Sequence, residues 1–425
     1  MNKILGLFLV LALLIFQGCK KEERLTIAVG GAPSEVEYLE KLIGEFERRT
    51  GIHVVLRRQP TDTDQRRQEL VIALKAGERD PDLFLMDVIW VPQFAASGWL
   101  EPLDGYVRES GISLSDFFSG VVEGVDRYDG KLIALPLYVD GGLLYYRKDL
   151  LERYGYAPPS TWEELVKQSK KVQRAIRKRN PSFYGFVWQG AQYEGLVCNF
   201  LEFAASRGGG IVDSLGRLTI DRPENTEALR FMRDLIARYG ISPPNTYTEM
   251  KEEEVRLFFQ RGDALFERNW PYAWKLHQAE DSPVKGKVGM ALLPSFKGGR
   301  HVSTLGGWHI GISRFADRKK EAWELLRFLI SEEIQKRLLL DLGWNPGRRD
   351  VYSDPEVLKE VPQAEVLQSI FERAIPRPVL PFYTRISEIL QKYLNSALSG
   401  DMEPDEALKK AQKEAESVFS LYEKK

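Results

Sequence analysis

The chain has 425 residues, with 60 lysines and arginines against 61 aspartates and glutamates, and its formal net charge is -1. This length allows two or three domains, and the balanced charge argues against a nucleic-acid partner. After removal of an N-terminal signal, Cys198 would be the only cysteine, which excludes a disulfide or thiolate metal site within one chain. The 4 histidines have no metal-site spacing, so we expect no metal and no cofactor.

The N-terminus has the pattern of an export signal. Lys3 precedes an uncharged apolar run at residues 4–16, which is too short to span a bilayer as a permanent helix, and Gly18-Cys19 follows. A signal that ends in Gly-Cys resembles a bacterial lipobox, whose cysteine is acylated. We therefore expect a lipoprotein signal peptide at 1–19, a lipid anchor on Cys19 and a charged tether at 20–24. An ordinary cleaved signal with an incidental cysteine is the alternative.

From residue 25, short apolar runs alternate with amphipathic stretches, a pattern typical of βαβ units. The pattern predicts strands at 25–29, 52–56 and 82–87, and helices from 34 to about 50 and at 64–76. Ser34 as N-cap, with Glu37 three residues later, predicts a capping box that leaves Glu35 without a structural role. These elements predict an open α/β lobe.

A second set of elements follows. Asp129-Gly130 is typical of a hairpin turn, and we expect residues 132–137 to pair with 142–146. Ser160-Thr161 predicts a helix cap. Farther on, the pattern predicts strands at 184–188, 263–267, 288–293 and 308–312, helices at 223–239 and 318–329, and a helical region from about 383 to 422.

Acidic and aromatic residues follow several predicted strands, where ligands bind in open α/β sheets. They are Asp87, Tyr138 and Asp140, Trp270 and Tyr272, while Gly306-Gly307-Trp308 introduces another strand. A pyranose ring stacks on Trp or Tyr and its hydroxyls bond to carboxylates, so this mixture suits a neutral carbohydrate. Structural alternatives stay open, because Asp87 could cap the following helix and the aromatic residues could belong to the core.

Several long strings in the sequence resemble the trehalose/maltose-binding proteins, which are extracellular solute-binding proteins of ATP-driven sugar importers. The strings are Gly30-Gly31-Ala32-Pro33, Thr61-Asp62-Thr63-Asp64-Gln65-Arg66-Arg67, Phe84-Leu85-Met86-Asp87, residues 141–150, Glu267-Arg268-Asn269-Trp270-Pro271-Tyr272-Ala273-Trp274 and residues 305–312. The resemblance continues through residues 343–348 and Pro376-Arg377-Pro378, and so covers nearly the whole mature chain.

The resemblance implies an α/β, two-lobed fold of the periplasmic-binding-protein type, with a multi-strand hinge and a ligand cleft between the lobes. It implies an N-terminal lobe of residues 25–139 and 294–354 and a C-terminal lobe of residues 140–293 and 355–425. The implied ligand-binding residues are Glu35, Arg66, Asp87, Tyr138, Asp140, Trp270, Tyr272, Gly307, Trp308 and Arg377. Glu37 and Arg67 stay open as alternatives to Glu35 and Arg66.

The same resemblance implies a monomeric, lipid-anchored receptor outside the cytoplasm that catalyses no reaction. It would bind a glucose disaccharide such as trehalose or maltose and deliver it to the membrane permease of an ABC importer. The sequence has no G-x-x-x-x-G-K-[ST] string, so ATP hydrolysis would come from another protein. Two alternatives are a secreted glycoside hydrolase, which would use carboxylates such as Asp87 and Asp140, and a sugar sensor for a signalling receptor.

Overall fold

The structure is a computed structural model that describes residues 24–60 and 62–423. The predicted signal peptide with Cys19, and residues 20–23 of the predicted tether, lie outside the described residues. The described residues divide into two compact units, one that extends to Leu85 and includes Ile312–Phe328, and one that comprises Met86–Gly311 and the described residues from Leu329 onward. The lobe boundaries implied by the resemblance remain a prediction. Within the described ranges, we find no helix with the length and apolar character that crossing a bilayer requires.

Twelve strands occur in the described ranges. They are β1 Leu25–Val29, β2 Val54–Arg58, β3 Leu83–Asp87, β4 Arg127–Tyr128, β5 Lys131–Leu132, β6 Leu135–Gly141, β7 Leu143–Arg147, β8 Tyr184–Val187, β9 Ala264–Asn269, β10 Val288–Ala291, β11 Ser303–Ile312 and β12 Ala374–Ile375. Of the strands predicted from the sequence, β1 has its predicted bounds, whereas β11 begins at Ser303 rather than at residue 308.

The α-helices of the described residues follow in chain order. They are α1 Pro33–Thr50, α2 Thr63–Lys75, α3 Val91–Ala96, α4 Asp104–Ser110, α5 Ser119–Val122, α6 Lys148–Tyr154, α7 Trp162–Ile176, α8 Glu194–Ala205, α9 Pro223–Ala237, α10 Glu252–Gln260, α11 Ala273–His277, α12 Lys319–Leu329, α13 Glu332–Arg337, α14 Pro355–Glu360, α15 Ala364–Glu372, α16 Tyr383–Ser399 and α17 Pro404–Glu423. The predicted C-terminal helical region is thus two helices, and Gly400, with a φ of 88°, ends the first of them.

The first unit is built on parallel strands. β1 lies between β2 and β3, and Ile27 is paired with Leu56 on one side and Leu83 on the other. Helix α1 buries Val36, Leu39, Leu42, Ile43 and Phe46, whose helical spacing places them on one face. β1 therefore belongs to the core, and its C-terminal end leads directly into the Gly30-Gly31 turn.

The start of α1 corrects one prediction. The helix begins at Pro33, whose fixed φ suits the first helical position, so the N-cap is Ala32 rather than Ser34. Glu35 then occupies the third position, and its Oε2 accepts a hydrogen bond from the Ala32 N–H at 2.8 Å. Glu35, and not Glu37, therefore has the capping role. At the other end, Gly51 is left-handed as the sequence predicted.

The second unit contains the short β4–β5 pair and strands of two larger sheets that share no strand. In one sheet, β11 pairs with β6 in antiparallel orientation and with β12 in parallel orientation. In the other, β7 lies between β10 and β9, and β9 also pairs with β8. The chain passes from the first sheet to the second at Gly141-Gly142. A Cβ atom on Gly142 would lie 2.3 Å from an Arg268 nitrogen, so this passage requires glycine.

The predicted hairpin is right in its turn and wrong in its strands. Asp129 and Gly130 have φ angles of 49° and 72°, as a two-residue hairpin turn requires, but the turn joins only β4 to β5. Residues 135–141 form β6, which pairs with β11, and β7 pairs with β9 and β10. The turn residues determine the geometry of the β4–β5 hairpin, whereas the pairing of β6 with β11 depends on which distant segments are buried together.

Candidate functional site

Strand β11 brings together most of the predicted ligand-binding residues of the second unit. In its antiparallel register with β6, Trp308 is opposite Tyr138 and Gly306 is opposite Asp140. Directly opposed residues project to the same face of a sheet, so these two pairs are neighbours. A register irregularity between Trp308 and His309 then changes the pairing. The β6–β11 strand pair thus places an indole, a phenol and a carboxylate along one short stretch of the sheet.

The two glycines of β11 allow neighbouring residues of β6 and Trp270 to approach the β11 backbone closely. Gly307 has a φ of 122°, and a Cβ atom there would lie 2.4 Å from the Tyr138 carbonyl oxygen, so no other residue fits. A Cβ atom on Gly306 would lie 3.2 Å from the Cβ of Asp140 and 3.3 Å from the Trp270 ring. Trp270, which arrives from the end of β9, therefore abuts β11 beside Asp140.

The end of β3 meets the same strand. The Val88 N–H donates to the Gly307 carbonyl at 3.1 Å, which places Asp87 next to this part of β11. The Asp87 carboxylate accepts the Ile89 N–H at 3.0 Å, so it also stabilises the turn before α3. Burial raises the pKa of the Asp87 carboxyl, although the Arg377 charge and the Ile89 hydrogen bond favour ionisation. Asp87 combines a local structural role with a place beside the other predicted residues.

Arg377 links Asp87 to helix α8. The Arg377 side chain is buried, and its Nη1 donates to Glu194 Oε1 at 3.0 Å while its Nη2 donates to the Leu305 carbonyl at 3.2 Å. Asp87 Oδ1 is 3.8 Å from Arg377 Nη2, a separation typical of a charge contact but too long for a hydrogen bond. The guanidinium is therefore held mainly by Glu194, which the sequence did not single out.

The Trp308 and Tyr138 rings on the β6–β11 pair each pack against another aromatic ring. Trp308 lies edge-on against Trp90, with ring centroids 5.4 Å apart at 83°. Tyr138 lies on Trp344 with a centroid distance of 4.3 Å. Neither Trp90 nor Trp344 was predicted to be near the site. Trp344 could have been found, because it belongs to the resembling segment 343–348.

Trp270 is supported by a buried ion pair. Its ring lies over the Arg268 guanidinium at 4.1 Å, and Arg268 Nε donates to Glu202 Oε2 at 2.9 Å. Glu202 also accepts the Thr304 N–H from β11 at 3.1 Å. Burial raises the pKa of Glu202, and the Arg268 charge opposes that rise. The pair connects α8, β9 and β11 underneath the indole.

Two carboxylates at the start of α10 hold the residues that follow β9. The Tyr272 hydroxyl donates to Glu253 Oε1 at 2.6 Å, and Trp270 Nε1 lies 3.5 Å from Glu252 Oε1. Tyr272 is 38% exposed, so it is not a core residue. The acidic run at 252–254 is the sequence feature behind these contacts, although nothing in the sequence links it to the aromatic residues.

Glu35 and Arg66 lie together in the first unit, at the Gly30-Gly31 turn after β1. A Cβ atom on Gly30 would lie 2.5 Å from Arg66 Nε, and one on Gly31 would lie 2.8 Å from Glu35 Oε2. Arg66 is buried, and its Nε donates to the Pro60 carbonyl at 2.7 Å. Glu37 is exposed. The glycines thus provide room for the side chains of Glu35 and Arg66, and Glu35 uses that room for its capping hydrogen bond to Ala32.

The side chains near β11 determine what kind of ligand could bind there. Indoles, a phenol and carboxylates converge on β11, together with two buried arginines, Arg268 and Arg377. The described ranges contain no group of three or more His, Cys, Asp or Glu side chains arranged to hold a metal ion. Cys198 is buried, and burial raises its pKa to about 12, so its thiol stays protonated. The arrangement is suited to binding a polar, uncharged molecule.

Comparison with known proteins gives consistent matches over most of the chain. Residues 32–336 match the family model described as bacterial extracellular solute-binding protein. A probable ABC transporter-binding protein of Deinococcus radiodurans is 37% identical over 390 residues, or 91% of each chain. Among solved structures, T. maritima MalE3 with maltose bound is 41% identical, with a TM-score of 0.83 over 93% of this chain and 99% of that one. An ABC transporter solute-binding protein from Thermotoga lettingae, bound with alpha-D-tagatose, is 30% identical, with a TM-score of 0.79 over 92% and 98%.

Proposed function

Because the chain belongs to the family of bacterial extracellular solute-binding proteins, we propose that it captures a glucose disaccharide for an ABC importer. Members of this family bind solutes and are not enzymes, which removes the glycoside hydrolase alternative. The predicted α/β, two-lobed fold class is confirmed by the likeness to T. maritima MalE3. The identity of the sugar is the proposed part, and maltose and trehalose are the candidates.

The convergence on β11 is the observation that supports a sugar ligand. Trp308 and Tyr138 are neighbours on one strand pair, and Trp270 meets Asp140 at Gly306. Indole faces can stack on the C–H face of a pyranose, while carboxylates accept its hydroxyls in charge-assisted bonds worth about 1.5–3 kcal/mol each. A neutral disaccharide can use both kinds of contact at once, whereas an anionic solute would be repelled by the carboxylates.

The full set of proposed contacts remains the one that the resemblance implied. Asp87, Tyr138, Asp140, Trp270, Tyr272, Gly307, Trp308 and Arg377 lie in the second unit, and Glu35 and Arg66 lie in the first. We further propose that Cys19 carries a lipid anchor, because an apolar run ending in Gly18-Cys19 begins the chain. The protein would then be a monomer anchored outside the cytoplasm, with the importer permease as its partner.

Calorimetric titration with maltose, trehalose and sucrose, with glucose as the monosaccharide control, tests the proposal. We expect saturable binding of maltose or trehalose, weaker binding of glucose, and intact sugar when the same samples are chromatographed afterwards. Binding of glucose alone, or of no disaccharide in the panel, would contradict the proposed ligand class. Glucose released from maltose or trehalose would contradict the receptor function itself.

A further inference from the structure

We propose that Glu194 is a positioning residue of this site: it holds Arg377 away from Asp87 and so keeps the Asp87 carboxylate available to sugar hydroxyls. The inference rests on the proposed function, because Asp87 is a ligand contact only under that proposal. It concerns a residue that is outside the set implied by the resemblance.

The first step is that Glu194 is itself firmly held. Its Oε1 accepts hydrogen bonds from the Arg377 Nη1 at 3.0 Å and from the Tyr383 hydroxyl at 2.6 Å. Its Oε2 accepts a hydrogen bond from the Ser387 hydroxyl. Tyr383 and Ser387 are both buried on helix α16. Glu194 stands in the first turn of α8, where a negative charge is favourable. The carboxylate is therefore fixed in place before any ligand arrives.

The second step is that Arg377 has one near and one distant carboxylate. Its side chain is 6% exposed, so its charge requires compensation inside the protein. Glu194 supplies this at hydrogen-bond distance, and the Leu305 carbonyl accepts a second hydrogen bond from the guanidinium. Asp87, at 3.8 Å, supplies a weaker attraction. The asymmetry means that Asp87 is close to a positive charge without being bound to it.

The third step is that the Asp87 carboxylate keeps its capacity to accept hydrogen bonds from a ligand. The Asp87 side chain is 22% exposed, so its carboxylate still reaches solvent. A two-bond Arg bridge engages one lone pair on each carboxylate oxygen, whereas a carboxylate that only faces an arginine keeps those lone pairs for hydrogen bonds from a ligand. Glu194 therefore acts on the sugar through Arg377 and Asp87 without touching the sugar.

Substitution of Glu194 by glutamine separates this role from simple packing. Glu194→Gln keeps the size of the side chain and its hydrogen bonds to hydroxyls but removes the charge that compensates Arg377. The buried guanidinium then has Asp87 as its ion-pair partner, and we expect the two to close to hydrogen-bond distance. Asp87 would lose acceptor capacity, and maltose or trehalose affinity should fall about tenfold, the size of one lost charge-assisted bond.

The experiment compares four proteins with the wild type: Glu194→Gln, Asp87→Asn, the double variant and Glu163→Gln. Glu163 is an exposed acid in the first turn of α7, so its substitution removes a helix N-terminal charge elsewhere in the second unit. Titrations with maltose and trehalose should show Glu163→Gln equal to the wild type. In the Asp87→Asn background, Glu194→Gln should change affinity by less than about twofold, because coupled residues are not additive.

A ligand-free crystal structure of Glu194→Gln provides a readout that does not depend on the sugar. We expect the Arg377–Asp87 separation to fall from 3.8 Å to hydrogen-bond distance. An unchanged separation would overturn the inference, and so would an equal loss of affinity in both backgrounds, which would make Glu194 a direct contact. If Glu194→Gln does not fold, Glu194→Asp replaces it. The shorter side chain draws the carboxylate away from Arg377, so affinity should fall, and an equal fall in the Asp87→Asn background would overturn the inference. If the wild type binds no disaccharide, the proposed function fails and the crystallographic distance alone decides the positioning role.

Discussion

At the scale of single residues, the proposed site depends on side chains whose environment is set by one or two neighbours. Trp308 packs edge-on against Trp90, and Trp270 lies over Arg268. Asp87 lies beside Arg377. Each neighbour restricts the motion of the functional group, and a group restrained beforehand loses less conformational entropy when a ligand binds. Substitution of a proposed contact residue should therefore lower sugar affinity, and so should substitution of the neighbour that packs against it.

Trp308→Ala is expected to weaken disaccharide binding by about 1–3 kcal/mol, because an indole that stacks on a sugar face contributes that much in a pocket. The measurement is calorimetric titration. Trp99→Ala is the matched control, since Trp99 is a half-buried indole packed against Phe94 and is outside the proposed set of ligand contacts. Equal affinities of the wild type and Trp308→Ala, with similar thermal unfolding, would show that Trp308 has only a packing role.

Binding should also depend on pH through Asp87. Burial raises its pKa above the ordinary value of 3.8, while Arg377 and the Ile89 N–H oppose the rise; Glu194 and His309 also act on it. The ionised form is the better acceptor, so affinity should be full above this raised pKa and fall as the pH drops through it. Titrations at a series of pH values should show this fall, and Asp87→Asn should lack the part due to Asp87. A flat profile for the wild type would contradict the role of Asp87.

At the scale of elements, β11 and α8 organise the second unit around the site. β11 carries Gly306, Gly307 and Trp308 and pairs with β6, which carries Tyr138 and Asp140. Helix α8 is buried along its length and provides Glu202 beneath Trp270 and Glu194 beside Arg377. Helix α8 thus supports two side chains of the proposed site through hydrogen bonds with buried arginines.

The buried Arg268–Glu202 pair allows a stability prediction at this scale. Glu202→Gln would leave the buried Arg268 charge uncompensated and should reduce the free energy of unfolding by about 3–5 kcal/mol. Urea unfolding measures the change. The control is Glu227→Gln, which removes the pair with Arg207, whose side chains are 48% and 35% exposed, and should cost about 1 kcal/mol or less. Equal effects of the two substitutions would mean that burial does not determine the contribution of the ion pair.

At the scale of the whole molecule, the proposed lipid anchor would connect export with ligand capture. The family acts outside the cytoplasm, and a receptor that serves a membrane importer benefits from staying near it. The apolar run before Cys19 supplies the means if that cysteine is acylated. Attachment by lipid would keep the binding units at the membrane without a spanning helix.

Cys19→Ser is expected to release the protein from membranes, because serine at this position would not receive the acyl chains. Membrane fractionation after labelling with a radioactive fatty acid measures both the anchor and its loss. Cys198→Ser is the control, because the Cys198 thiol is buried and should not be acylated. Absence of label on the wild type would favour an ordinary cleaved signal.

Local features of the fold were predictable from the sequence because their causes lie within a few residues. The buried strand β1, the left-handed stop at Gly51, the cap at Thr161 and the Asp129-Gly130 turn all occur as expected. The start of α1 was not predicted correctly, since Pro33 suits the first helical position better than Ser34 suits the cap. That error assigned to Glu37 the capping role that Glu35 has in the structure.

The sequence by itself also determined the family resemblance and the chemical types of the proposed site residues. Which groups face one another was decided only by the tertiary structure. β6 pairs with β11 rather than with β7, and Arg377 meets Glu194 across a separation of 183 residues. Hydrophobic periodicity and caps act over a few residues, whereas strand partners and buried ion pairs depend on which distant segments exclude water together. The composition of the site could thus be read along the chain, while its supporting contacts arise from packing.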